Sequence, residues 1–234
     1  MTLDGIGVRG RLADDRDHVK YQSYSTLVRA EQSTMTATNR RRGQFIVLVG
    51  PDGVGKTSVA AELIGVDPSN AVYFHFRPPV LRALATRPDF DGPVPEKRQE
   101  PGMQALGWAR LLKNFLHFWI GYATSVLPAL RRGLLVIGDR WAYGYLVQPV
   151  ALGFGGPAWA ARMVIGWLPE PDLVVNLTAP PEVIHRRKSE LRLEDIHTEL
   201  EAWERIPASR LMSLTTDRPA KVVARSILEM LNTL

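Results

Sequence analysis

The apolar run Phe45-Ile46-Val47-Leu48-Val49 leads directly into Gly50-Pro51-Asp52-Gly53-Val54-Gly55-Lys56-Thr57, and a helix-compatible stretch from Ser58 to Ile64 follows. A strand, a glycine loop and a helix in that order constrain the fold strongly. A continuous apolar strand has to be covered on both faces, and the loop hands the chain to the first covering helix. The spacing G-x-x-x-x-G-K-[ST] also carries chemistry. Glycines let successive backbone N–H groups turn toward a phosphate without a Cβ in the way. Gly50, Asp52, Gly53, Val54, Gly55, Lys56, Thr57 and Ser58 are therefore the expected triphosphate-binding residues. Lys56 would reach the β- and γ-phosphates, and the Thr57 hydroxyl would ligate Mg²⁺. A glycine-rich turn with a surface lysine is the alternative, and the flanking strand and helix speak against it.

The rest of the chain alternates strand and helix. Ala71–Phe76, Leu134–Ile137, Leu173–Leu177 and Leu211–Thr215 read as further strands. Helices are expected over Thr57–Ile64, Met103–Leu127 (bending or ending near Pro128 and closing at Gly133), Pro180–Leu193, Asp195–Arg205 and Ala220–Leu234. Ala142–Leu168 reads as a mixed segment containing helix, and residues 77–102, rich in proline, as an irregular excursion. This pattern predicts an α/β fold of the P-loop NTPase type: a doubly wound parallel sheet of about five strands with helices on both faces. Residues 1–43 have little apolar periodicity and read as a polar, disordered arm ahead of a domain spanning 44–234. Met35 lies ten residues before the first strand, which leaves residues 1–34 as an extension or a mis-assigned start.

Charge and composition remove some functions. The arm holds eight Lys/Arg against five acids, more than half of the net charge of +5. Those charges are interspersed, so a solvated tail is expected rather than a nucleic-acid grip. No cysteine is present, which excludes disulfides and thiolate catalysis and fits a cytoplasmic protein. No apolar core of a secretory signal opens the chain. Leu106–Leu130 is rich in Leu, Phe and Trp but is interrupted by Arg110, Lys113, Asn114 and His117, so a buried helix rather than a membrane span is expected.

Four further features narrow the chemistry. Val136-Ile137-Gly138-Asp139-Arg140 delivers an acid to the C-terminal end of a strand, where Asp139 can hold the Mg²⁺ shell. Arg140 beside it would meet a transferring or accepting phosphate, with a structural salt bridge as the plainer role. Arg77, before Pro78-Pro79, is placed either for an acceptor anion or as a surface cation. In Pro181-Glu182-Val183-Ile184-His185-Arg186-Arg187-Lys188, with Arg192 beyond, Arg187 and Arg192 could close over ATP as a lid around residues 185–200; a solvated helix face is the alternative. Asp52 places a carboxylate among phosphate-binding amides, unfavourable unless it has a role there, of which accepting a hydrogen bond from a substrate hydroxyl is one.

With these motifs in view, residues 44–234 resemble the thymidylate kinase family of P-loop nucleoside monophosphate kinases. The loop with its aspartate, Phe76-Arg77-Pro78, Leu127-Pro128-Ala129-Leu130, Gly133, Asp139-Arg140-Trp141, Pro171-Asp172-Leu173 and Thr216-Asp217-Arg218-Pro219 carry the resemblance. It implies ATP and Mg²⁺ as cofactors and a small-molecule phosphate acceptor, with Lys56 and Arg140 stabilising the transferred group. Arg77 and Asp52 would hold the acceptor, Asp217 would lie on the adenine side, and a homodimer would form through the long helix. The base-reading region departs from the family. Asn114 and Phe118 stand where the family has a phenylalanine and an arginine, which leaves Phe118 as the acceptor-side aromatic. Thr178 replaces an acid, and the segment after Trp141 reads Ala142-Tyr143-Gly144-Tyr145-Leu146-Val147-Gln148. Losing polar groups that read a base loses selectivity for it.

The expected function is therefore an ATP-dependent phosphotransferase acting on a nucleoside monophosphate, dTMP or similar. Two alternatives stand beside it: a kinase for another small molecule such as a sugar or sugar phosphate, and a nucleotide-dependent switch. A guanine-reading Asn-Lys-x-Asp sequence is absent, which disfavours a GTPase.

Overall fold

A computed structural model of the chain describes residues 42–86 and 104–233. The expectations for the arm, for most of the proline-rich excursion and for the first residue of the long helix lie outside the described residues. In chain order the elements are β1 Phe45–Val49, α1 Lys56–Val66, β2 Ala71–His75, α2 Gln104–Gly121, a π-helical turn Tyr122–Val126, α3 Leu127–Arg131, and β3 Leu135–Asp139. A 3₁₀ turn Trp141–Tyr143 follows, then α4 Gly144–Val147, α5 Ala158–Gly166, β4 Leu173–Thr178, α6 Pro181–Arg187, α7 Leu193–Glu204, β5 Leu211–Thr215 and α8 Ala220–Leu231.

The five strands form one sheet in the order β2-β3-β1-β4-β5, with every pairing parallel. Alternate residues of each strand feed two separate cores, because successive side chains point to opposite faces. Phe45, Val47, Val49, Phe74, Val136 and Val174 pack with Phe118, Trp141 and Trp203 on one face. Ile46, Leu48, Ile137, Val175 and Leu177 pack with Val59 and Leu63 of α1 and Val223 and Ile227 of α8 on the other. The sheet is thus an α/β P-loop NTPase sheet with helices on both sides, and the C-terminal ends of β1, β2 and β3 converge on one rim.

The long helix departs from the sequence expectation. It is interrupted at the π-helical turn, where the Leu127 N–H donates to the Tyr122 carbonyl five residues back. Pro128 has no N–H to give its own fourth-preceding carbonyl, and its ring would crowd it. Widening the turn ahead of the proline relieves that conflict and leaves Pro128 in the first turn of α3, where no donor is needed. Gly133, at φ +80, closes the segment as expected.

The expected helix Pro180–Leu193 is likewise shorter. It stops at Arg187, after which Lys188–Arg192 turn before α7 begins. His185 Nδ1 bonds the Leu191 carbonyl at 2.7 Å, folding the chain back, while three consecutive cations crowd the end of α6. Among the described residues no helix is long and apolar enough to cross a membrane.

Candidate active site

The glycine loop is built as the sequence requires. Gly50, Gly53 and Gly55 take φ of +134, +83 and +108, values that L side chains rarely adopt. At Gly50 a Cβ would also meet the Leu177 carbonyl oxygen at 2.4 Å, so β4 closes the loop from beneath. Helix α1 starts after Gly55 with no side-chain cap and no acid in its first turn. Its first amides and the positive end of its dipole are left for an anion. Lys56 is buried and donates to the Gly50 and Pro51 carbonyls at 2.8 and 2.9 Å. Burial, with Arg140 close by, pushes its ammonium below the usual lysine value, although Asp139 and Asp52 oppose that shift. Thr57 is half-buried in the first turn, and Ser58 beside it is exposed.

Asp139 and Arg140 leave the sheet at the same rim. Asp139 Oδ2 accepts from the Tyr73 hydroxyl at 3.1 Å and faces His75 Nδ1 at 3.3 Å, while its buried Oδ1 has no hydrogen-bond partner. Burial alone would raise this carboxyl, but the bond from His75 and the charges of Lys56 and Arg140 hold it below the usual range. An ionised carboxylate with one free oxygen, one strand from Thr57, suits a hard cation whose other ligands are phosphate oxygens and water. Among the described residues no cluster of three or more His, Asp or Glu could cage a metal.

Arg140 and Trp141 have φ of +68 and +49, two successive non-glycine residues in the left-handed region, each worth about 1–3 kcal/mol of strain. Trp141 is held there by edge-on contacts to Phe45 and Phe118, with centroids 5.4 and 4.8 Å apart. The turn sends Arg140 back over the loop. Its Nη2 pairs with Asp52 Oδ1, its Nη1 lies 3.5 Å from Gln148 Oε1, and its buried Nε has no partner. Lys56 Nζ stands 3.7 Å from the same Asp52 oxygen. Burial would raise the Asp52 carboxyl, but these two cations bring it below its usual value.

On the other side of the rim, Phe76 turns at φ +54 and its N–H donates to the Asp139 carbonyl. Arg77 follows, half-buried, stacked 5.5 Å over the Phe76 ring and donating to Asn114 of α2. Phe118 is fully buried against Phe76 and Trp141 and presents no free ring face. Arg187 reaches the loop, with Nη1 3.3 Å from the Gly53 and Val54 carbonyls. Arg192 is not brought there: it caps α7 on the surface beside Glu194. Asp217 is exposed, and its neighbour Thr216 is buried and donates to the Val54 carbonyl at 2.7 Å, tying the β5–α8 loop to the phosphate loop.

No protein-family model matches the chain. A curated relative, a probable thymidylate kinase of Staphylothermus marinus, is 29% identical over 154 residues, 64% of this chain and 71% of its own length. The solved thymidylate kinase of Candida albicans shares the fold, with a TM-score of 0.54 at 19% identity over 82% of this chain and 92% of that one. The chain is similar to thymidylate kinases in sequence and in fold. It is an enzyme of the P-loop kinase kind.

Three residues of this kinase's rim were not singled out individually as site residues in the sequence. Gln148 touches Arg140, and Thr216 anchors the β5–α8 loop to the glycine loop. Glu199 of α7 has Asp52, Lys56 and Arg140 for electrostatic neighbours and accepts from the Trp203 indole at 3.1 Å. Burial pushes its carboxyl above the usual value despite those cations. The only signal in the sequence was its place one turn before a buried tryptophan, which does not distinguish it from the other acids of α7.

Proposed function

We propose that the chain transfers the γ-phosphoryl group of ATP to a nucleoside monophosphate, with dTMP the first candidate. The observation that carries this is Asp52 lying between Lys56 and Arg140 in front of an uncapped helix start. Two cations then flank the path of a phosphoryl group whose charge spreads as it moves. A kinase needs that more than it needs a nucleophile.

In the reaction a phosphate oxygen of the acceptor attacks Pγ, the bond from Pγ to the β–γ bridging oxygen breaks, and ADP leaves. The glycine-loop amides and Lys56 hold the triphosphate, and Arg140 spans the transferring and accepting groups. Arg77 holds the acceptor's phosphate, and Asp52 orients Arg140 and accepts from an acceptor hydroxyl. Arg187 covers the loop and excludes water, and Asp217 borders the adenine side. Phe118 backs the acceptor cleft through Phe76. Thr57 and the free Asp139 oxygen would hold Mg²⁺, which supplies charge neutralisation at the β- and γ-phosphates.

One observation favours a second acceptor class. Asn114, Phe118 and Tyr145 are buried where the family reads a base, which suits a smaller phosphorylated compound. ADP release measured against a panel of nucleoside monophosphates and phosphosugars separates the two. Stimulation by dTMP supports the first reading, stimulation by phosphosugars alone replaces it with the second, and slow hydrolysis unchanged by any acceptor rejects both.

The outer face of α2 presents Leu112, Leu116, Trp119 and Ile120 to solvent, an apolar stripe at helical spacing. That stripe supports self-association of this kinase through α2.

A further inference from the structure

We propose that Asn114 is a positioning residue for Arg77, and that Tyr145 holds Asn114 from behind. The inference rests on the kinase reading above and goes one layer deeper into the same cleft. Arg77, at the end of β2, donates through Nη1 to Asn114 Oδ1, and Asn114 Nδ2 donates to the Tyr145 hydroxyl of α4. The three residues come from three elements, and only Arg77 is more than marginally exposed.

The direction of this chain of bonds is forced. A guanidinium has donors and no acceptor, so Asn114 has to turn its carbonyl oxygen toward Arg77. Its amide nitrogen then faces Tyr145, which accepts with its oxygen and keeps its own proton. Burial raises the Tyr145 phenol further above its usual value, although the bond from Asn114 opposes the shift. The hydroxyl stays neutral, and it is the guanidinium, able only to donate, that fixes the direction of the bonds.

The surroundings are aromatic. Phe76 lies edge-on to Phe118 with centroids 5.5 Å apart, and Tyr145 lies 6.0 Å from Phe76 and 6.3 Å from Phe154. A polar amide in such a cage is costly unless both of its ends are bonded, and an apolar side chain would pack there more simply. What the amide adds is a fixed direction for a long, flexible cation. The Phe76 ring holds the face of the guanidinium and Asn114 holds one edge. The remaining N–H groups are left for the oxygens of an acceptor phosphate. Rotamer freedom that Arg77 would otherwise lose on binding is already spent, so the effect belongs in acceptor affinity rather than in the chemical step.

The test is a double-mutant cycle on the full chain, with dTMP as the acceptor probe. N114L should raise the KM for dTMP about tenfold while the KM for ATP and kcat stay within about twofold, as expected for losing one ground-state contact. In an R77A background N114L should add nothing further, because the residue acts through Arg77. Y145F, a change of one oxygen, should move the same constant in the same direction by less, and serves if N114L fails to fold. Thermal melting identifies a variant that only loses stability. Equal factors for N114L with and without Arg77, or an unchanged KM in both N114L and Y145F, would overturn the proposal. A wild-type chain that binds dTMP in calorimetry without phosphorylating it rejects the functional reading, and the cycle is then read on Kd. Absence of both binding and turnover overturns the two together.

Discussion

Asp52 and Arg140, 88 residues apart in sequence, are ion-paired across the mouth of the phosphate loop. The loop acid thus holds the strand-end arginine over the site, and the strained backbone at Arg140 and Trp141 is compensated by that pair and by the aromatic packing around Trp141. D52N keeps the shape and removes the charge, so Arg140 loses its anchor. Turnover should fall about tenfold, while R140A, which removes a donor to the transferring group, should cost about 10²–10³-fold in kcat. An R140A enzyme with wild-type kcat would contradict this.

Lys56→Ala should abolish turnover and weaken ATP, since the loop amides alone leave the terminal phosphate charge unmatched. The change also removes the lysine donor from the Gly50 and Pro51 carbonyls, of which Pro51 keeps the Val54 N–H. Calorimetric ATP binding and single-turnover phosphotransfer check the two effects separately.

Arg77→Ala should raise the acceptor's KM about tenfold or more and leave that of ATP nearly unchanged, as a charge-assisted bond to one substrate predicts. Steady-state kinetics with each substrate varied in turn decide it. A rise shared equally by both substrates would place Arg77 elsewhere in the mechanism.

Glu199 gives a pH-dependent prediction. Its carboxyl is raised in the folded chain, chiefly by burial, so ionising it costs stability at pH above the folded value. Below its ordinary value of 4.5 both folded and unfolded forms are protonated and the cost vanishes. E199Q should therefore melt at a higher temperature than wild type near neutral pH, with the gap closing as the pH falls below about 4.5. Paired melting curves at the two pH values test the sign.

The α2 stripe predicts that the purified chain is a dimer, and that Leu116→Glu, a charge on an exposed position, yields a folded monomer. Light scattering gives the mass and circular dichroism the fold. A monomeric wild type ends the idea.

Much of this was legible in the residues. The period-free apolar strands, the glycine loop and the acid at the end of β3 are local signals, because each is set by the conformations and burial of a few neighbouring residues. They were enough for five parallel strands, two helical layers and the glycine loop between β1 and α1. The interruption before Pro128 was misplaced by a turn, since a helix can widen ahead of a proline as well as break at it. Arg187 and Arg192 read alike in a run of cations, yet one reaches the loop and the other caps a surface helix. Gln148 and Glu199 carried no signal that separates them from other polar residues of their segments, and Thr216 was read only as part of the Thr216-Asp217-Arg218-Pro219 motif.

The amino-acid order by itself therefore determined the parallel sheet, its alternation of strands and helices, and the glycine loop at the end of β1. The meeting of Asp52 with Arg140, of Arg77 with Asn114 and Tyr145, and of Glu199 with the loop cations was decided only by how distant elements pack. Such pairs form when the strand ends are brought to one rim and α2 and α7 are laid across it. A contact between residues far apart in the chain depends on those crossings, which no local propensity encodes.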